Sequence, residues 1–135
     1  SGEKGKGKTK ELLNKVVSSI TSATGNIVYL DKSQKHMYEL NNKIRLINVN
    51  DFLIDNCDEF LGFICGVISQ DHDLEEMYLD SFLTIASIDS DELLNHAIQK
   101  LDVISEKYNV KFILSVSKDE SKLTDIAKAK IVISL

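Results

Sequence analysis

The sequence predicts an α/β fold, a three-layer αβα sandwich with a mostly parallel sheet, in one domain spanning residues 1–135. Amphipathic helical patterns alternate with short apolar runs along the chain, those runs show little period-two alternation, and neither proline nor a low-complexity linker interrupts them. Strands without alternation are buried on both faces, and a sheet covered on both faces by helices is usually parallel. A chain of 135 residues, 43% of them hydrophobic, can close one core and offers no domain boundary. No internal repeat is present.

From Thr9 to about Thr24, Leu12, Leu13, Val16, Val17 and Ile20 recur at helical spacing, with Gly25 as a stop. Asn26-Ile27-Val28-Tyr29-Leu30 is strand-forming and is followed at once by Asp31. Residues 33–40 suit a short helix ended by Asn41-Asn42, and residues 43–49 suit a second strand. Residues 58–69 are apolar around most of the circumference, as in a helix wedged between other elements, although Gly62 and Gly66 lower its propensity. Asp71-His72-Asp73 reads as a loop, and Met77-Tyr78-Leu79 as a short buried strand ending in Asp80. A capping box, Asp89-Ser90-Asp91-Glu92, opens a helix with Leu93, Leu94, Ala97, Ile98, Leu101, Ile104 and Tyr108 on one face, and Asn109 closes it. Residues 110–117 form the clearest strand, 122–128 a short helix and 131–135 a last strand.

The net charge of −5 conceals an asymmetry. Lys4, Lys6, Lys8 and Lys10 against Glu3 give the first ten residues a local +3, which leaves −8 for the other 125. One end attracts anions, while an acidic body with a single arginine, Arg45, speaks against a broad nucleic-acid surface. No stretch approaches the roughly 20 apolar residues of a membrane span, so a cytoplasmic protein is expected. Cys57 and Cys65 would lie about 12 Å apart along one helix, too far for a disulfide, and are expected to be buried and reduced.

The basic end holds Gly2-Glu3-Lys4-Gly5-Lys6-Gly7-Lys8-Thr9, the spacing G-x-x-x-x-G-K-T of a phosphate-binding loop, and it runs directly into an amphipathic helix. Glycines let consecutive amides turn toward phosphates at the positive end of that helix. In this reading Gly2, Lys4, Gly5, Lys6, Gly7 and Lys10 belong to the cradle, and Lys8 reaches the β and γ phosphates. Thr9 takes one position on Mg2+, and the ligand is ATP or another nucleoside triphosphate. The plain alternative is a flexible Gly-Lys tail. Such a loop normally springs from a central parallel strand, so a strand before Ser1 is expected. Without it a gap would open in mid-sheet, unless residues 131–135 or another chain filled the slot.

A magnesium site also needs a carboxylate at the end of a buried strand. Asp80 suits this role, against a plain reading as a turn residue, and Asp31 is a second carboxylate at a strand end. Ser115 and Ser117 could sense a γ phosphate, although serine is ordinary at a strand end. Ser81, where many ATPases carry a glutamate, and the lone Arg45 make hydrolysis less secure than binding and argue against a small-molecule kinase. His36, His72 and His96 read as solvated residues.

With Gly2 to Thr9, residues 26–32, His36-Met37-Tyr38, Phe63-Ile64-Cys65-Gly66, Tyr78-Leu79-Asp80 and residues 107–112 in view, the chain resembles small bacterial P-loop proteins commonly labelled twitching motility PilT-like ATPases. The resemblance spans nearly the whole chain and implies a RecA-like core, ATP and magnesium. In the RecA-like branch an acid on the strand ending in Asp31 can polarise the attacking water, which makes Asp31 the candidate general base beside Lys8. Pilus retraction is not implied, because motility ATPases carry further histidine- and arginine-containing motifs absent here. The expected function is an ATP-binding P-loop protein acting as a magnesium-dependent ATPase. One alternative is a non-hydrolysing interaction module, working on a protein partner or a second copy through loops such as residues 81–88. Another, a PIN-type nuclease, needs three or four converging carboxylates.

Overall fold

The computed structural model describes residues 8–20, 25–33 and 44–116. It is an α/β structure with a four-stranded, all-parallel sheet, in the spatial order β2-β1-β3-β4. Along the chain come α1 (Lys8–Ile20), β1 (Asn26–Asp31), β2 (Ile44–Asn48) and a 3-10 turn (Val49–Asp51). They are followed by α2 (Cys57–Ser69), β3 (Leu74–Leu79), α3 (Phe82–Ile85), α4 (Asp91–Tyr108) and β4 (Lys111–Leu114). All but Ser33 of the expected helix over residues 33–40, together with the helix 122–128 and the strand 131–135, lies outside the described residues.

Two apolar clusters flank the sheet. Leu12 and Val16 of α1 pack with Ile27, Tyr29, Ile44, Tyr78 and Ile113 on one face. On the other, Phe60, Leu61, Ile64 and Ile68 of α2 and Leu94, Ile98 and Leu101 of α4 meet Val28, Leu30, Met77, Leu79 and Leu114. Helices on both faces of a parallel sheet are compatible with the expected three layers. β1 and β3 are buried along most of their length, whereas the outer strand β2 is buried only at Ile44 and Ile47, with Arg45 exposed.

Several local expectations change. No mid-sheet gap exists among the described strands, because β1 pairs directly with β3 and β3 with β4; any further strand can join only at the outer edge of β2 or β4. β3 starts at Leu74, three residues before the expected Met77, since its half-buried Glu75 and Glu76 hid the beginning of the strand. The cap of α4 is Ser90, whose side chain accepts the Leu93 N–H, and not Asp89. Asn109 does end α4, in the left-handed conformation at φ 55°. Tyr108 is exposed rather than on the packed face. Residues 81–88 are not a free loop: α3 forms there, and Phe82, Ile85, Ala86 and Ile88 are buried.

Gly25 serves the sheet as well as the approach to it. The Gly25 amide donates to Glu75 Oε2 at 2.7 Å, and a Cβ at this position would run into the backbone carbonyl of Asp73. Only glycine lets the start of β1 pass so close to β3, where the register between the two strands shifts.

Burial pushes the Tyr78 phenol well above its ordinary range, opposed by a hydrogen bond with Ser19 and reinforced by Glu76. Cys57 is raised by burial and by neighbouring Asp58. Both groups keep their protons in the folded state to a higher pH than in the unfolded chain, so this stability is complete below the unfolded values and is lost as pH rises past them. Stability is expected to decline from about pH 9 and more steeply above about pH 10. Urea titrations across that range should show a shallower decline in Tyr78→Phe.

Candidate functional site

Side chains alternate along a strand, so residues two apart share a face. Tyr29 and Tyr78 lie on the α1 face, while Leu30, Leu79 and Leu114 lie on the α2–α4 face. Asp31, Asp80 and Ser115, which end or directly follow β1, β3 and β4, therefore belong to the α1 side of three neighbouring strand ends. All three are buried, with Asp80 1% exposed, and they are the only buried polar or charged residues among those described.

Asp80 is held through both carboxylate oxygens. The Tyr29 hydroxyl donates to Oδ2 at 2.8 Å, and the Ser115 hydroxyl donates to Oδ1 at 2.9 Å. Backbone bonds lock the same corner: Asp80 N–H donates to the Leu30 carbonyl, Ser115 N–H to the Leu79 carbonyl, and Phe82 N–H to the Ser115 carbonyl. Ser81 adopts the left-handed region at φ 56°, which costs a residue with a Cβ about 1–2 kcal/mol. The Ser115 hydroxyl offsets this by accepting the Ser81 N–H at 2.8 Å while it donates to Asp80. A buried carboxylate fixed by two hydroxyl donors stays oriented.

Behind this corner, Tyr29 and Tyr78 stack with their ring centroids 6.0 Å apart. The Tyr78 hydroxyl donates to Glu76 Oε1 and is 2.9 Å from the Ser19 hydroxyl in the last turn of α1. The last turn of α1 is thus tied to β3 through Ser19 and Tyr78.

Of the expected site residues, Gly2, Lys4, Gly5, Lys6 and Gly7 lie outside the described residues. Lys8, Thr9 and Lys10 form the first turn of α1. Asp31 ends β1, and its Oδ1 accepts the Lys32 N–H at 2.7 Å. Tyr29 was not foreseen. Its spacing from Asp31 was the available signal, since two residues along a strand bring a side chain back to the same face. Ser115, a candidate phosphate sensor, donates to Asp80 and accepts from the Ser81 N–H.

The remaining candidates are surface residues. His72 is exposed, and in its loop Asp71 accepts the Asn26 side-chain amide and the Asp73 N–H. His96 is also exposed, 3.8 Å from Asp58. His36 and Ser117 lie outside the described residues. Both cysteines are free, but Cys65 is exposed rather than buried, because it sits on the outer side of α2. No group of three or more histidine, cysteine or acidic side chains that could hold a metal occurs among the described residues, and no helix among them is long and apolar enough to cross a membrane. The chain matches no protein-family model and no curated protein.

Proposed function

We propose that this chain binds a nucleoside triphosphate with magnesium, in a RecA-like P-loop core. Lys8 and the amides of Gly2 to Gly7 would hold the phosphates, Thr9 and Asp80 the metal, and Asp31 the attacking water. The observation that carries this reading is the shared position of Asp31, Asp80 and Ser115 at the strand ends, on the face covered by the helix that begins with Lys8-Thr9-Lys10.

Topology supports it. The connections through α2 and α4 both advance in the direction from β2 toward β4 and lie on one face, whereas α1 lies on the other. Parallel crossovers share one hand, so a strand feeding α1 would stand on the β4 side of β1, and its open position is beside β4. A loop leaving the end of such a strand would emerge next to Ser115 and Asp80. The fixed Asp80 carboxylate suits a cation bound directly or through water.

A ligand that binds only the folded state stabilises it by about 2.7 kcal/mol at 100 times its dissociation constant. ATP with magnesium should therefore raise the melting temperature by several degrees, and Lys8→Ala should abolish the rise. A wild-type melting curve indifferent to ATP at millimolar concentration would remove the proposal. Phosphate release in the same samples then separates an ATPase from a non-hydrolysing binder.

A further inference from the structure

The outer side of α2 is left uncovered by the described residues. From Phe60 to Ser69 the helix carries no charged residue. Phe60, Leu61, Ile64 and Ile68 point into the core, yet Gly62, Cys65 and Gly66 are exposed. A Cβ built on either glycine would meet no atom within 4 Å. Each glycine weakens the helix by about 1 kcal/mol relative to alanine, and no close approach within the described chain offsets that loss. A helix apolar on all sides is normally covered on all sides.

Beside this face runs a groove of about 900 Å³ between α2 and α4, floored by Leu61 and Ile104 and walled by Cys65 and Val103. Val103 is 64% exposed. The groove is electrically polar along its length. Asp58 lies at the end where both helices begin, and Lys100 and Lys107 line the half where α4 ends. A surface acidic at one end and basic at the other is complementary to itself when turned through a two-fold rotation, which brings each end against its opposite.

We infer that this face of α2 is the interface of a two-fold symmetric homodimer, in which the α2 helices of two copies cross antiparallel at Gly62 and Gly66. The glycines let the two backbones approach closely, as small residues four apart do in other helix pairs. Asp58 of each copy faces Lys107 of the other. Cys65, between the glycines, lies near the axis, where two thiols can come within the roughly 4.4–6.8 Å Cα separation that a disulfide spans.

Sedimentation velocity of the wild-type chain, at concentrations up to about 100 µM so that even a weak micromolar pair is populated, should show a dimer of the 15.1 kDa chain. Gly62→Leu with Gly66→Leu should shift dimerisation at least about tenfold toward monomer, without lowering the melting temperature of the monomer, because both positions are open and leucine favours the helix. Lys107→Glu should weaken the pair, and Asp58→Lys added to it should restore it. Mild oxidation should cross-link the wild type but not Cys65→Ser. A wild type that stays monomeric throughout overturns the inference, as does a dimer that survives the glycine replacements and forms no Cys65 cross-link. The charge-reversal pair decides the matter if the leucine variant fails to fold.

Discussion

Truncating Phe60 to alanine is expected to lower the free energy of unfolding by about 3–5 kcal/mol, a large part of the 5–15 kcal/mol typical of a domain. Phe60 is completely buried in α2, and its ring meets Phe82 of α3 edge-on, with centroids 6.2 Å apart and planes at 63°. Removing it loses the transfer energy of a whole ring and leaves a cavity that close-packed neighbours cannot fill. The void would open beside Phe82, the first residue of α3. Phe63 provides the internal comparison. It is half-buried and touches Phe52, which is itself partly exposed, at 4.9 Å. Phe63→Ala should cost only about 1 kcal/mol. Urea denaturation at 25 °C measures both, and an unchanged m-value would confirm that the loss lies in the folded state. Equal costs would mean that the α2–α3 contact is not where the helical layer is anchored.

The second large effect concerns Asp80. Asp80→Ala leaves the hydroxyls of Tyr29 and Ser115 without their acceptor in a site from which water is excluded, and each stranded group costs about 1–3 kcal/mol. Relief from burying a carboxylate offsets part of this, so a net loss of about 2–4 kcal/mol is expected. Asp80→Asn keeps the shape and one acceptor oxygen and should lose less than half as much. The two replacements separate architecture from ligand chemistry. If Asp80 holds magnesium, the asparagine variant retains its fold and loses the magnesium-dependent part of the ATP-induced rise in melting temperature. Full retention of that rise in Asp80→Asn would transfer the metal to another residue. Loss of the fold in both variants would instead mark Asp80 as a structural anchor for the ends of β1, β3 and β4.

The described fold was largely legible because its signals are local. The apolar residues of α1 and α4 recur at helical spacing, and both Leu12 and Leu101 are buried as that spacing requires. The runs ending in Asp31 and Asp80 carry too little alternation to have a wet face, and they became the two central strands. Local signals also misled where burial is partial. Glu75 and Glu76 concealed the first half of β3, and the short helix α3 has no periodicity long enough to register. Its start at Ser81 depends on a left-handed turn sustained by Ser115, 34 residues away.

The sequence by itself determined the parallel α/β class, the helix ends at Asn109 and near Lys8, the phosphate-loop spacing, and the presence of an aspartate directly after each of two buried strands. These follow from periodicity, capping and spacing, which act over a few residues. Only the tertiary structure decided that β1 lies between β2 and β3, and that Asp31, Asp80 and Ser115 share one face. It likewise decided that Tyr29 reaches across to hold Asp80, and that the described residues leave one side of α2 uncovered. Strand order and the satisfaction of buried polar groups depend on contacts between residues 34 to 51 positions apart, and such pairs leave no periodic trace along the chain.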